Sequence, residues 1–496
     1  MTQDWQTTNM SRDQREIARI TVKGTFWTQA SNLCGKVLVF LSTVILARVL
    51  MKDEFGVAAY AIVVIGLLDV FSDLGIGPAL IYHSDDEGIN DTAFWLGLLV
   101  GVTLFGVTWF VAPLAGLFFD DDRAVSVTRV LGLTFPLSAL TNIHSTLLEK
   151  QLNFQRKFIP DLVQSAGKGL ISIVLALAGF GVWSLIFGQL GGLLVAIIAY
   201  WWFMPWRPSL RFSRRFVAPL LSYGTSIVAS SFLGVLLLNV DYLFVGRHLG
   251  AVALATYVLA FRIPELLIKQ FCGVTSRVIF PVYASMRNNP AGVAQGFLAT
   301  MRYVTMITVP MALGLMLVAD SLVLTIYGSK WIDAVPAMRA IAVYTLLLSL
   351  SFNVGSVYKA QGRPQVLTRL ALLRFVILMP ALWWAVSGPG TLAAVGWVQA
   401  AVAFGHVSLS LLVAVRLLRT PFARIVEALR PAVIAGGLMA LAVLSTQLVF
   451  EGMPALTDLI VSACTGVLVY SGVLWLLHRD VMLLAGQTLR TSLGRR

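Results

Sequence analysis

Charge is scarce in this chain. Asp, Glu, Lys and Arg make up 12% of its 496 residues, where an ordinary soluble domain carries about 25%. Hydrophobic residues reach 58% and the mean hydropathy is +0.82, which excludes a soluble globular protein and indicates an integral membrane protein. Long polar intervals are also missing between about residue 24 and residue 477, so no separate catalytic domain fits. The three cysteines, Cys34, Cys272 and Cys464, lie far apart inside apolar segments. They imply neither a disulfide framework nor a metal site and read as packing residues. Five scattered His residues give no metal-ligand spacing. No phosphate-cradling Gly-rich loop occurs, so the chain is not itself an ATPase, and no cofactor is expected. Residues 1–22 are polar and lack the apolar core of a signal peptide. The stretch from Ser11 to Lys23 is expected to form a short basic helix on the cytoplasmic membrane surface.

What is present is a succession of apolar stretches. A membrane helix needs roughly 20 such residues, and breaking the chain at Gly, Pro and charge clusters gives fourteen candidates: 24–50, 56–82, 92–119, 125–147, 158–179, 181–204, 216–244, 251–275, 297–319, 334–357, 365–387, 391–415, 431–449 and 456–477. The net charge of +13 does not point to nucleic acid, because Lys and Arg collect in short loops rather than on one polar face. They report topology. Arg12, Arg15, Arg19 and Lys23 place the N-terminus in the cytoplasm, and Arg207, Arg211, Arg214 and Arg215, then Lys359 and Arg363, then Arg416, Arg419 and Arg424, return to the same side. The run Asp120-Asp121-Asp122 and the loop from Glu451 to Asp458 fall opposite. Only the loop from His83 to Asp91 conflicts: it should be cytoplasmic yet holds Asp85, Asp86, Glu87 and Asp91 with no basic residue. Acidic residues contribute little to orientation, so the assignment stands.

A weak repeat offset by about 200 residues relates the first and seventh helices, which suggests two parallel six-helix halves. The expected fold is an all-α membrane protein of about 14 transmembrane helices, with two six-helix lobes around a central cavity and two extra C-terminal helices. The divisions are 1–23 (cytoplasmic N-terminal segment), 24–204 (N-terminal lobe), 205–215 (linker), 216–415 (C-terminal lobe), 416–430 (linker), 431–477 (helices thirteen and fourteen) and 478–496 (cytoplasmic basic tail).

Against this apolar background, ionisable residues near helix centres demand a reason. Each costs about 2.5–3.5 kcal/mol at mid-membrane and so faces a partner or a wet cavity. More are basic than acidic, which suits an anionic cargo and a transporter. Lys36 either meets cargo in a cavity or pairs with Asp69 or Asp73 on the next helix. Asp69 and Asp73, four apart on one face, either share a proton for coupling or neutralise Lys36; the run Asp73-Leu74-Gly75-Ile76-Gly77-Pro78 also allows a broken helix. Arg262, Glu265 and Lys269 form a stripe at i, i+3 and i+7, next to a kinking Pro264. The stripe either lines a cavity, where the Arg fork suits phosphate, or is closed by Glu265 bridging its neighbours. Lys168 and Arg374 correspond under the repeat and either contact cargo or pack the lobes. Asp241 is expected to pair with Arg247 or to cap a helix.

Several strings carry a family likeness: Leu147-Leu148-Glu149-Lys150-Gln151-Leu152-Asn153-Phe154, Gly179-Phe180-Gly181-Val182-Trp183-Ser184-Leu185, Trp206-Arg207-Pro208, Asp241-Tyr242, Gly246-Arg247-His248-Leu249-Gly250, Phe280-Pro281-Val282-Tyr283 and Gln361-Gly362-Arg363-Pro364. In order and spacing, over essentially the full length, the chain resembles the Wzx-type polysaccharide flippases of the multidrug/oligosaccharidyl-lipid/polysaccharide exporter superfamily. The resemblance implies a cargo of lipid-linked oligosaccharide, moved by alternating access across the bacterial inner membrane for exopolysaccharide, capsule or O-antigen. It also implies membrane lipids, a polysaccharide polymerase and export machinery as partners; the energy source stays open, with a proton or a sodium ion as the candidate coupling species. The acidic signature of the multidrug members has no clear match here. A cation-coupled multidrug exporter on the same scaffold is the first alternative, and a membrane-embedded polymerase or ligase the second, although the short outer loops leave little room for an enzyme.

Overall fold

The computed structural model describes residues 12–72, 75–82, 88–222 and 225–477. Those residues are helical in α1 (Arg12–Val49), α2 (Lys52–Asp69), α3 (Ile76–Tyr82), α4 (Ile89–Phe119), α5 (Arg123–Leu131), α6 (Thr134–Lys150), α7 (Phe154–Leu177), α8 (Val182–Phe203), α9 (Arg214–Ser222), α10 (Thr225–Pro264), α11 (Gln270–Ser285), α12 (Pro290–Leu317), α13 (Ala319–Ile326), α14 (Val335–Ala360), α15 (Gln365–Ser387), α16 (Leu392–Leu418), α17 (Phe422–Val449) and α18 (Ala455–Leu477). A π-helical turn, Glu265–Lys269, joins α10 to α11, and a 3-10 turn, Ser329–Ala334, precedes α14.

Twelve helices among the described residues are long and apolar enough to cross a membrane, where fourteen are expected from sequence. One difference lies in the second expected span. It divides into α2, with Lys52, Asp53 and Glu54 in its first turn, and the seven-residue α3. The break expected near Gly75 is present, and Gly75 turns there with φ 72°. The other difference is α10, a 40-residue helix interrupted by Gly250 at φ 82°, ψ −178°. Tyr257 donates a hydrogen bond to Asp241 at 3.1 Å, although 16 residues of straight helix would separate them by about 24 Å. The chain therefore reverses at Gly250 and brings residues 240–249 back against 253–264. The expected surface helix from Ser11 to Lys23 is instead, from Arg12, the start of α1. Gly24 does not break the run, because its bare Cα is where the Phe154 ring packs: a Cβ there would sit 2.6 Å from the ring.

The chain clusters into two compact units, residues 1–239 with 250–252, and residues 240–249 with 253–496. In the first, α7 and α8 form a tight hairpin whose turn uses Gly179 (φ 83°) and Gly181 (φ 55°). Their seam is built on small residues, as membrane helices without a hydrophobic driving force require. A Cβ on Gly192 would lie 2.8 Å from the Gln164 carbonyl and 2.9 Å from the Lys168 nitrogen. The same device brings α1 onto α7 through Gly35 against Ser165 and Ser42 against Gly169. A core of Leu80, Phe94, Ile143, Leu147, Tyr200 and Leu220 ties α3, α4, α6, α8 and α9 together. The second unit centres on Tyr283, Phe297, Met301, Val354, Tyr358 and Val407 from α11, α12, α14 and α16. There α17 and α18 pack through Met439, Tyr470 and Leu474, and Tyr470 donates to the Met306 carbonyl of α12 at 2.7 Å. Side chains such as Phe110 (83% exposed) and Leu476 (82%) stand outward from their helices, which is stable only where lipid covers them.

Cys272 is buried as expected of a packing residue, while Cys34 and Cys464 are exposed on theirs. Asp91 closes the discordant acidic loop, whose residues 83–87 lie outside the described residues. It accepts hydrogen bonds from the Ser209 amide at 2.9 Å and from the Ser209 hydroxyl, so the start of α4 and the 205–213 linker share one membrane face.

Candidate functional site

In the first unit, α7 presents Asp161, Ser165, Lys168 and Ser172 at i, i+4, i+7 and i+11, which is one helix face. The close approach of α1 and α8 converts that face into a polar centre. Asp161 accepts from the Ser31 hydroxyl of α1 at 3.1 Å and from the Tyr200 hydroxyl of α8 at 2.5 Å. Lys168 is half-buried in the α7–α8 seam, its Cβ against Gly192. Lys36 follows Gly35, the residue that packs on α7, and stands on the exposed side of α1 near the middle of the apolar span Phe26–Val49. Asp69 is the exposed last residue of α2. Because the helix ends there, no continuous helix carries Asp69 and Asp73 on one face, and Asp73 itself lies outside the described residues.

In the second unit the stripe expected from Arg262, Glu265 and Lys269 is altered by the backbone. The Gln270 amide bonds to the Glu265 carbonyl, an i to i+5 bond that makes the segment after Pro264 π-helical. A π turn holds an extra residue, so straight-helix spacing does not carry from Arg262 to Lys269. Lys269 pairs with Glu265 at 3.1 Å. Arg262 instead lies within electrostatic reach of Tyr242 and Tyr327. Arg374 donates to the Tyr344 hydroxyl at 2.9 Å and covers that ring at 5.6 Å. It opens onto an apolar groove of about 350 Å³ between α15 and α16, lined also by Leu373, Ile377, Val402, His406 and Leu409.

Asp241 departs most from expectation. It neither pairs with the exposed Arg247 nor caps a helix; it is 2% exposed in the first arm of α10. Its partners are the Tyr257 hydroxyl, at 3.1 Å, the Tyr242 amide, at 3.1 Å, and the Gln399 side chain. All are neutral. Gln399 is 1% exposed, and its Oε1 has no hydrogen-bond partner. A buried carboxylate with neutral donors alone bears a large desolvation cost, which a bound proton or small cation removes. Neither Tyr257 nor Gln399 carries a charge or a spacing that singles it out in sequence, and Asp161 is one acidic residue among several near helix starts. Only the reversal at Gly250 and the glycine-mediated seams reveal these clusters.

Helices long and apolar enough to cross a membrane, packed in two units with charged residues inside the spans, define a multi-pass membrane protein. The fold is that of lipid II flippase MurJ in its inward closed conformation, to which this chain is similar with a TM-score of 0.76 at 14% identity, covering 92% of this chain and 99% of that one. It also matches an inward-facing multidrug-resistance transporter of the MATE family, with a TM-score of 0.67 at 17% identity over 77% of this chain and 94% of that one. Residues 45–336 match the family model described as "Polysaccharide biosynthesis protein", and the chain belongs to that family. Its relatives include the teichuronic acid biosynthesis protein TuaB of Bacillus subtilis (strain 168), 25% identical over 78% of this chain and 80% of the relative. The lipopolysaccharide biosynthesis protein WzxC of Escherichia coli (strain K12) is 25% identical over 73% and 74%. The succinoglycan biosynthesis transport protein ExoT of Rhizobium meliloti (strain 1021) is 25% identical over 72% and 73%. The chain is thus a multi-pass membrane transporter of bacterial polysaccharide biosynthesis.

Proposed function

We propose that this transporter is a flippase that moves polyprenyl-pyrophosphate-linked oligosaccharide repeat units from the cytoplasmic to the outer leaflet of the inner membrane, for exopolysaccharide, capsule or O-antigen assembly. The observation that carries the reading is the family match, whose relatives belong to surface-polysaccharide biosynthesis, and Lys36 near the middle of the apolar span Phe26–Val49 agrees with it. A charge at that depth facing lipid costs about 2.5–3.5 kcal/mol, so it is held by a partner or a water-filled path. Lys168, Arg262 and Arg374 add positive charge at membrane depth, and Lys269 stands there paired with Glu265. Such a set lowers the barrier for a pyrophosphate and its hydrophilic glycan while the polyprenyl tail stays in lipid. Several moderate contacts, rather than one tight site, allow release on the far side. The family relatives, named for teichuronic acid, lipopolysaccharide and succinoglycan, fit a sugar-polymer cargo.

Coupling is assigned to Asp241. Loading its buried carboxyl with a proton or sodium ion, and unloading it, changes the charge inside the second unit and biases one conformation of an alternating-access cycle. The termini lie in the cytoplasm by the distribution of Lys and Arg, and a polymerase and export machinery would receive the product.

The decisive experiment is leaflet-resolved analysis of lipid-linked oligosaccharide after deletion of the gene. Accumulation on the cytoplasmic leaflet is expected. The MATE-like fold and the buried acid favour a second reading, a cation-coupled multidrug exporter. Altered toxin sensitivity with normal glycan export would establish that reading instead.

A further inference from the structure

The linker after α8 holds a combination that neither cargo transport nor coupling uses. Residues 205–222 contain four basic residues in one short run with no acid: Arg207, Arg211, Arg214 and Arg215 are interspersed with Leu210, Phe212 and Phe216. The segment is rigidly mounted. Arg207 is committed to backbone, donating to the carbonyls of Trp201, Met204 and Trp206. The Trp95 indole donates to the Ser209 carbonyl at 2.8 Å, and the Ser213 amide to Thr92 at 3.2 Å. Together with the Asp91 clamp on Ser209, these bonds fix which side chains turn inward and which outward. Phe216 and Leu220 enter the core of the first unit.

What remains outward is Leu210 at 90% exposure and Phe212 at 50%, beside exposed Arg211, Arg214 and Arg215. None of the three arginines has a carboxylate partner among the described residues. A leucine held almost wholly free by hydrogen bonds on its neighbour is an odd structure in water. It is a sound one at a bilayer surface, where apolar side chains enter the acyl boundary and arginines stay with the headgroups. The position agrees: α8 ends at Phe203, and Trp202, 83% exposed, marks the interface one residue earlier.

We propose that Leu210, Phe212, Arg211, Arg214 and Arg215 form a fixed docking surface for anionic phospholipid headgroups, with Leu210 and Phe212 seated below the phosphate plane. The charge selects the occupant: three exposed guanidinium groups without a carboxylate partner among the described residues, Arg215 stacked on Phe216 at 5.7 Å and the Asp91 carboxylate occupied by Ser209, fit phosphatidylglycerol or cardiolipin better than zwitterionic lipid. The inference depends on the inside-positive orientation only for naming the leaflet and is independent of the cargo. It makes the tether between the two halves of the sequence sensitive to bilayer composition.

The test uses the full-length protein with Cys34, Cys272 and Cys464 replaced by Ser and a single Leu210→Cys carrying an NBD fluorophore. It is placed in nanodiscs of phosphatidylcholine with increasing phosphatidylglycerol, and a nitroxide at the lipid headgroup reports proximity by quenching. Leu210 makes little contact with the fold, so labelling it leaves folding intact. Quenching should rise with phosphatidylglycerol, and each Arg→Gln change at 211, 214 or 215 should raise the half-saturating fraction about fivefold, since an arginine near an anionic surface is worth about 1 kcal/mol. A label that stays in water at every composition overturns the proposal and leaves the surface to a protein partner. An unchanged titration in the triple variant overturns the role of the arginines. Reversal by soluble inorganic pyrophosphate with no effect of chloride at matched ionic strength would assign the surface to the cargo headgroup, also against the proposal.

Discussion

Asp241 offers the most direct measurement of how this transporter is driven. Asp241→Asn keeps the shape of the side chain and an oxygen to accept the Tyr257 hydroxyl, and it removes the ability to bind and release a proton. Tyr257→Phe removes the donor and keeps the carboxyl. If the resting carboxyl is neutral, the lost bond is an ordinary interhelical one, worth about 0.6 kcal/mol in membrane proteins. If it is ionised, the loss is that of a bond to a buried charge, about 1.5–3 kcal/mol. The expected pattern is a small loss of thermal stability in detergent for Tyr257→Phe, near-wild-type stability for Asp241→Asn, and little further loss in the double variant. Translocation of lipid-linked oligosaccharide in proteoliposomes would then respond to an imposed proton or sodium gradient in the wild type and not in Asp241→Asn. If Asp241→Asn retains full gradient dependence, Asp241 is not the coupling group, whatever its effect on stability. If Tyr257→Phe costs more than about 1.5 kcal/mol, the neutral resting state is wrong.

Neutralising Arg262 or Lys269 to Gln should reduce export about tenfold each, or ~1.4 kcal/mol, with membrane insertion unchanged; normal export in both singles and the double would remove these residues from the path. Gly192→Ala should destabilise the protein by about 1–3 kcal/mol through overpacking, because the added Cβ meets backbone atoms of α7 that cannot turn aside, and a melting temperature equal to wild type would contradict the tight α7–α8 seam. At the membrane face opposite the linker, Arg123 joins Asp53 of α2 to Asp121. Burial works to raise the Asp121 carboxyl pKa, but the Arg123 hydrogen bonds and charge prevail and hold it below the ordinary 3.8. A depressed carboxylate contributes stability above its unfolded value and loses it as pH falls through the folded one. The stability gap between wild type and Arg123→Gln should therefore be constant near neutrality and close below pH 3.8, and a gap that widens on acidification would contradict the pairing.

Much of the architecture was legible along the chain because it depends on local rules. Stretches of about 20 apolar residues mark spans whatever they pack against. The breaks at Gly75, Gly179-Phe180-Gly181 and Gly250 could be placed because glycine is where a chain turns with positive φ. The candidate site was legible only as a set of charges. The pairing of Lys269 with Glu265 was among the expected alternatives, and one residue's partner, Asp241's, was expected wrongly: Arg247 is near in sequence, while Tyr257 and Gln399 are brought near by folding. The straight-helix stripe through Arg262 failed for a local reason, since a π turn after Pro264 has no reliable sequence signature.

The order of residues along the chain therefore determined that this protein is a polytopic membrane protein with costly charges in its spans, because transfer into a bilayer is a sum over the residues of each stretch and needs no knowledge of the fold. Only the tertiary structure decided which charges became neutral-donor clusters, which became ion pairs and which stayed exposed. Hydrogen bonds act over about 3 Å, so the reversal at Gly250 and the glycine seams of α7, rather than sequence spacing, set the partners of Asp241 and Asp161.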